Sequence, residues 1–166
     1  ITIAKKAANI QIDELRKIKK IFNKSFVNAV DLIMNCKGKV IFSGVGKNSF
    51  ICKKAAATFS SVGIPSFFVD PTGVSHGDAG QIEKKDLLII ISNSGNTAEL
   101  INLLKFANRY RIKIIGIASN QESTLLKASD IKICYPKLRE SDTINIVPTT
   151  STSFTMPTFS SSALTF

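Results

Sequence analysis

The chain of 166 residues is 44% hydrophobic, enough for one compact domain with its own core and too short for two large ones, which excludes a disordered tail and a multidomain machine. Twenty-two Lys and Arg against twelve Asp and Glu leave a formal charge of +10, a balance that attracts nucleic acid, an anionic membrane or a phosphorylated small molecule. The lysines fall in scattered pairs (Lys5-Lys6, Lys19-Lys20, Lys53-Lys54, Lys84-Lys85) without the interleaved aromatics of a single-strand stacking groove, so nucleic acid is not the expected partner. No apolar run approaches the roughly 20 residues needed to span a bilayer, and the first ten residues lack the basic-then-apolar order of a signal peptide. A soluble, cytoplasmic protein is expected. Cys36, Cys52 and Cys134 are odd in number, widely spaced and without a CxxC, which points to buried thiols rather than disulfides or a zinc site.

Residues 3 to 36 carry helical periodicity in two pieces, broken near Asn23 to Ser25 and stopped at Gly38. In the first piece Ile10, Leu15, Ile18 and Phe22 lie near helical spacing, which suits packing on its own domain or on a partner subunit better than docking on a membrane. Lys39 to Ser43 then reads as a short apolar strand running into Gly44-Val45-Gly46-Lys47, with a helix over 49 to 61. Ser66 to Val69, Leu87 to Ile91, Lys113 to Ile117 and Ile131 to Cys134 read as further strands, with helical stretches at 97 to 109 and 122 to 128. Strands that are apolar throughout and alternate with helices predict an α/β fold, a parallel sheet covered on both faces. A last helix is expected to begin at Thr149 to Ser153, and Pro157 is expected to end it, because proline costs about 3 kcal/mol inside a helix.

In such sheets ligands sit beyond the carboxyl ends of the strands, and three loops there are unusually polar. Ser43 to Ser49 is a poor dinucleotide fingerprint, having no third glycine at Ser49, and no P-loop, having Ile41 where that motif needs glycine. What remains is a glycine turn presenting Lys47, either an anion seat or an ordinary tight turn with a solvated lysine. Ser92-Asn93-Ser94-Gly95-Asn96-Thr97 precedes a helix, and its hydroxyls and the helix N–H groups make a seat for a phosphate. Asn96 followed three residues later by Glu99 also fits a plain capping box. Thr149 to Ser153 offers the same donor chemistry again, or caps its own helix.

Most carboxylates, such as Asp13, Glu14 and Asp31, fall on helix faces or in turns; Glu99 and Glu140 remain as candidate bases. Glu99 is expected in a first helical turn, where the dipole lowers its pKa, and Glu140 in an irregular turn without such a field, where burial by substrate raises it toward the value useful to a base; Glu140 is therefore the expected base and Glu99 the next candidate. The sole histidine, His76, stands in Ser75-His76-Gly77-Asp78 with no second ligand at metal spacing.

The segments GKVIFSGVGKNS, GIPSFFVDP, SHGDAG, LLIIISNSGNTAEL and VPTTSTS resemble, in order, the sugar isomerase (SIS) domain of D-arabinose-5-phosphate isomerases of the KpsF/KdsD type, over about residues 3 to 153. The resemblance implies a flavodoxin-like three-layer αβα sandwich with a five-stranded parallel sheet, and a homo-oligomer whose sites include neighbouring subunits. It implies interconversion of arabinose 5-phosphate and ribulose 5-phosphate, feeding Kdo synthesis for lipopolysaccharide or capsule, with no cofactor and no metal. Carried over residue by residue, it gives Lys47, His76, Glu99 and Glu140 catalytic roles. It gives Gly46, Asn48, Gly63, Ile64, Ser92, Asn93, Ser94, Thr97, Thr150 and Ser151 substrate contacts. A non-catalytic SIS module that senses a sugar phosphate and a hexulose-phosphate isomerase are the alternatives.

The departures from that family are specific. Its Gly-Lys-Ser-Gly-His is here Gly46-Lys47-Asn48-Ser49-Phe50, the histidine of its Val-His-Pro segment is Asp70, and its Ser-Gly-Glu-Thr is Ser94-Gly95-Asn96-Thr97. Family members continue through a Gly-Asp-Ala-Leu helix and a His-Pro-Gly-Gly segment, and often two CBS domains. One SIS domain over 1–166 without CBS domains is therefore expected: N-terminal helices over 1–37, the sheet and sites over 38–153, and a poorly matching tail over 154–166. The sequence reads as a fragment, a truncated form or a decayed copy.

Overall fold

The computed structural model describes residues 1–142, 144 and 147–163, the last five as backbone only. Five strands, β1 (Val40–Gly44), β2 (Ser66–Phe68), β3 (Leu87–Ile91), β4 (Lys113–Ala118) and β5 (Ile131–Cys134), pair in parallel in the order β2-β1-β3-β4-β5. Every residue of β1 and β3 is buried, which is why their sequences are near-continuous branched apolar runs rather than alternating ones. Alternate side chains then enter two cores. Val40, Phe42, Leu87, Ile89 and Ile91 face one, closed by α2 (Lys24–Met34), α3 (Lys47–Ser61) and α6 (Thr150–Ala163). Ile41, Leu88, Ile90 and Ile114 face the other, closed by α4 (Leu100–Tyr110) and α5 (Thr124–Ala128). This is the expected three-layer arrangement.

The strands keep the places read from sequence, and the helices differ where tertiary burial overrides local signals. Pro157 does not end α6, which continues to Ala163. Phe154 is fully buried with its ring centroid 5.4 Å from that of Tyr135, and Thr155 and Thr158 are buried beside it, so packing of α6 on the core offsets the cost of the missing N–H. The segment read as the start of a tail is thus core.

Helix α1 (Thr2–Leu15) buries none of its residues and runs into a 3-10 segment, Arg16–Ile21. Asn23 then starts α2, its Oδ1 accepting from the N–H groups of Ser25 and Phe26 at 2.9 and 3.4 Å. Polar contacts hold α1 to its own domain: Gln11 Nε2 donates to Ser141 Oγ at 3.0 Å, and Arg139 N–H to Glu14 Oε2 at 3.2 Å. Between β2 and β3 the chain forms two short 3-10 turns, Gly73–His76 and Asp78–Gln81, that the apolar pattern does not signal. No helix among the described residues is long and apolar enough to cross a membrane.

If α6 is core rather than tail, Phe154→Ala should destabilise the chain by about 3 to 5 kcal/mol, as removal of a buried aromatic does. Urea denaturation followed by circular dichroism measures it; a loss below about 1 kcal/mol would contradict the packing described.

Candidate functional site

The sheet order places β1 beside β3, with Gly44 opposite Ile91 at their carboxyl ends, so the two glycine-containing turns start as neighbours. A side chain at Gly44 would press on the Ile91 carbonyl at 3.0 Å and Cys52 Sγ at 3.1 Å, which keeps this approach close. Gly46, at φ 60°, caps α3, and Ser49 returns both its N–H and its hydroxyl to the Gly46 carbonyl. Lys47 is therefore the first residue of α3, exposed beside Asn48.

In the turn after β3 the buried Ser92 hydroxyl lies 2.7 Å from Thr97 Oγ1 and accepts from Gly95 N–H at 3.0 Å. Gly95 adopts φ 68°, open to glycine, and its carbonyl accepts from Leu125 N–H. Ser94 Oγ accepts from Asn96 N–H at 3.2 Å. The Asn93 carbonyl takes both the N–H and the hydroxyl of Ser119, and its Oδ1 takes the Tyr135 hydroxyl at 3.0 Å. Asn96 does not form the capping box with Glu99: its Oδ1 accepts from Thr124 N–H and hydroxyl at 2.9 and 3.1 Å, tying the turn to α5 instead. Helix α4 starts at Leu100, one residue past Glu99, which caps it without a side-chain bond and stands exposed.

Glu140 is the largest correction. Its Oε2 accepts from the N–H groups of Thr149, Thr150 and Ser151 at 2.8, 2.7 and 3.2 Å and from the Thr149 hydroxyl at 3.1 Å. It thus caps α6 from outside the helix, in the field of a helix N-terminus rather than in a turn without one. Burial works to raise its pKa, but the hydrogen bonds from Ser151, Thr149 and Thr150 outweigh it and hold the carboxyl below the ordinary glutamate value. The α6 donors, expected to receive substrate at Thr150 and Ser151, are engaged by this carboxylate. The Thr150 hydroxyl is buried without a hydrogen-bond partner. Tyr135 is pushed up by its own burial first and by the Glu140 charge second, which marks the two as neighbours.

A cavity of about 270 Å³ brings together Asn93, Ser94 and Glu140 with Ser119, Lys137, Leu138 and Pro148. Sequence reasoning missed Ser119, Tyr135 and Lys137. Their one signal was position, since each falls at or just past the carboxyl end of β4 or β5.

Lys47, Asn48, Glu99 and His76 lie outside this cavity. His76 is exposed at the end of the turn after β2, which Asn102 of α4 ties down by donating to Ser75 Oγ at 2.7 Å. Gly63 and Ile64 do not join the site: they precede β2, and Val40 N–H donates to the Pro65 carbonyl next to them, so they lie at the amino pole. A five-residue strand separates the poles by about 13 Å. Asp70 turns back on its own segment, held below the usual carboxylate range by the Thr72 N–H and hydroxyl. Among the described residues no cluster of three His, Cys, Asp or Glu is arranged to hold a metal ion.

Glu140→Ala leaves three N–H groups without their acceptor and should cost about 1 to 3 kcal/mol at neutral pH. Because the folded pKa lies below the unfolded one, this contribution is present above about pH 4.3 and is lost as the pH falls through the folded value. Urea melts of both proteins should therefore converge as the pH falls below the ordinary glutamate range; a constant gap would remove the charge from the account.

Residues 32–164 match the sequence profile of the SIS domain. The arabinose 5-phosphate isomerase KdsD of Yersinia pestis is 40% identical over 152 residues, 92% of this chain and 46% of that protein. The arabinose 5-phosphate isomerase KpsF of Escherichia coli is 40% identical over 155 residues, 93% of this chain and 48% of that protein. The chain thus spans about half the length of the curated relatives it matches. Among solved structures, an E. coli CFT073 protein in complex with arabinose 5-phosphate superposes with a TM-score of 0.94 at 33% identity, over 99% of this chain and 88% of that one. With its parallel sheet and polar turns accounted for, and the profile covering most of its length, the chain belongs to the SIS domain family.

Proposed function

We propose that the protein is an aldose-ketose isomerase that interconverts D-arabinose 5-phosphate and D-ribulose 5-phosphate, at a step that supplies Kdo synthesis for lipopolysaccharide or capsule. The likeness over 99% of the chain to a relative solved with arabinose 5-phosphate carries this reading. The names of the KdsD and KpsF relatives support it. The proposal includes a cytoplasmic location and a homo-oligomer. Ile1, Ile3 and Ile12 on or beside α1 and Val27 and Met34 on α2 are exposed apolar side chains that a second copy would cover.

The reaction breaks the C2–H bond of the aldose and moves its electron pair into a C1=C2 bond, while the carbonyl oxygen O1 takes a proton, giving a cis-enediol. Loss of the O2 proton then forms C2=O2, and C1 receives a proton. One carboxylate must carry the carbon-bound proton, and a cation must meet the charge that develops on O1 and O2. Glu99 is exposed and without a capping bond, whereas Glu140 Oε2 already accepts four donors, so Glu99 is the base in this reading. Glu140 positions the α6 end of the site. Lys47, at the head of α3 in the turn beside the Ser92–Thr97 turn, is the cation for the enediolate, and His76 protonates or orients a sugar oxygen.

Exchange of solvent deuterium into C2 of arabinose 5-phosphate, followed by NMR, tests the chemistry. Glu99→Gln should slow exchange at least about a hundredfold, the scale of a lost general base. Glu140→Gln should keep more than about a tenth of the rate, a barrier rise under about 1.4 kcal/mol, while lowering the melting temperature. The opposite order would make Glu140 the base, and binding of the sugar phosphate without exchange would favour the sensing module.

A further inference from the structure

The turn hydroxyls expected to seat the phosphate are partly engaged within the protein. Ser92 and Thr97 hydrogen-bond to each other, Ser119 donates its hydroxyl to the Asn93 carbonyl, and the α6 N–H groups point at Glu140. Three donor groups lining the 270 Å³ cavity are not engaged in this way. The Asn93 Oδ1 accepts the Tyr135 hydroxyl, which turns the amide so that its Nδ2 hydrogens are left to donate. Ser94 Oγ accepts from Asn96 N–H, which leaves its own hydrogen available. Lys137 forms no ion pair with a carboxylate among the described residues. A cavity wall of unmatched donors with an ammonium among them calls for an anion, and the hydrogen bonds that draw Glu140 toward α6 leave its charge facing the helix end.

We propose that Lys137, with Asn93 Nδ2 and Ser94 Oγ, binds the phosphate group of the substrate and is the charged residue that selects a phosphorylated sugar over a neutral one. The inference rests on the reading of the protein as a sugar-phosphate enzyme and adds a residue that the family's motifs do not contain. It also divides the cations by task. Lys137 lies past β5, on the Glu140 side of the site, while Lys47 lies past β1 beside the turn that carries Glu99. One ammonium holds the phosphate end and the other faces the end where carbon chemistry occurs.

The test is a calorimetric titration of arabinose 5-phosphate, inorganic phosphate and neutral arabinose into the wild-type chain, Lys137→Gln and Lys137→Arg, with melting temperatures recorded alongside. Lys137→Gln should weaken arabinose 5-phosphate at least tenfold, about 1.4 kcal/mol, and inorganic phosphate in parallel, with its melting temperature unchanged. Lys137→Arg should stay within about threefold of wild type, since a guanidinium also grips phosphate. Added salt should weaken the wild type more than Lys137→Gln. Wild-type affinity in Lys137→Gln, or equal losses in Gln and Arg variants, would overturn the assignment. A wild-type chain that binds the sugar phosphate through Lys137 but shows no exchange at C2 would leave this inference standing and remove the isomerase reading. A wild-type chain that binds neither phosphate would remove both.

Discussion

A sheet buried on both faces leaves almost no place for polar chemistry along its strands. In β1 and β3 every residue is excluded from water, and an unpaired polar group there costs free energy; the one polar side chain the two strands hold, Ser43, is buried near the carboxyl end of β1 without a hydrogen-bond partner for its hydroxyl. Polar side chains otherwise gather where the strands stop, as Ser92 and Ser119 do just past the ends of β3 and β4. All strands are parallel, so these ends share one pole, and the order β2-β1-β3-β4-β5 lays the turns along it as neighbours. The site follows from the sheet: the same constraint that makes the core continuous drives the reactive groups to its rim.

That constraint also explains what could be read from the sequence. The apolar run Leu87 to Ile91 announces its strand because nothing but a fully covered strand accommodates it, and its bounds match the structure, as do those of Ile131 to Cys134, an edge strand whose Lys132 is exposed. The end of α6 was illegible because local propensity at Pro157 opposes it, while the burial of Phe154 that overrides the proline depends on distant partners such as Tyr135. The capping of Asn96 failed for the same reason. Its spacing to Glu99 fits a capping box, but its actual partner, Thr124, lies 28 residues away. Spacing within one segment cannot report a donor that another segment supplies.

Glu140 and Glu99 show the difference most clearly. Both are glutamates beside hydroxyl-rich turns, and by sequence they differ only in the apparent presence of a helix. Folding puts both at the head of a helix. The residue expected in a first helical turn stands outside α4, and the residue expected in a field-free turn receives three backbone donors from the head of α6. The rim around Glu140 is held by linked bonds, since Gln11 of α1 reaches Ser141, Ser141 reaches Thr149, and Thr149 reaches Glu140. A helix with no buried residue of its own thereby touches the rim of the site through hydrogen bonds.

A network of this kind divides the rim into groups that are engaged and groups that are available. Ser92, Thr97 and the α6 N–H groups maintain the shape of the turns, so their donors are not free to change partners without loosening the walls. Asn93 and Ser94 are held by bonds to their other atoms and keep donors to spare, and with the exposed Lys137 they line the cavity. Preorganised donors need little reordering when an anion arrives, which is what suits a polar, water-accessible rim to the sugar phosphate proposed for it. On the proposed reading, the residues that build the site and those that meet its ligand are therefore largely different ones, although the sequence sets them side by side in a single turn, Ser92-Asn93-Ser94.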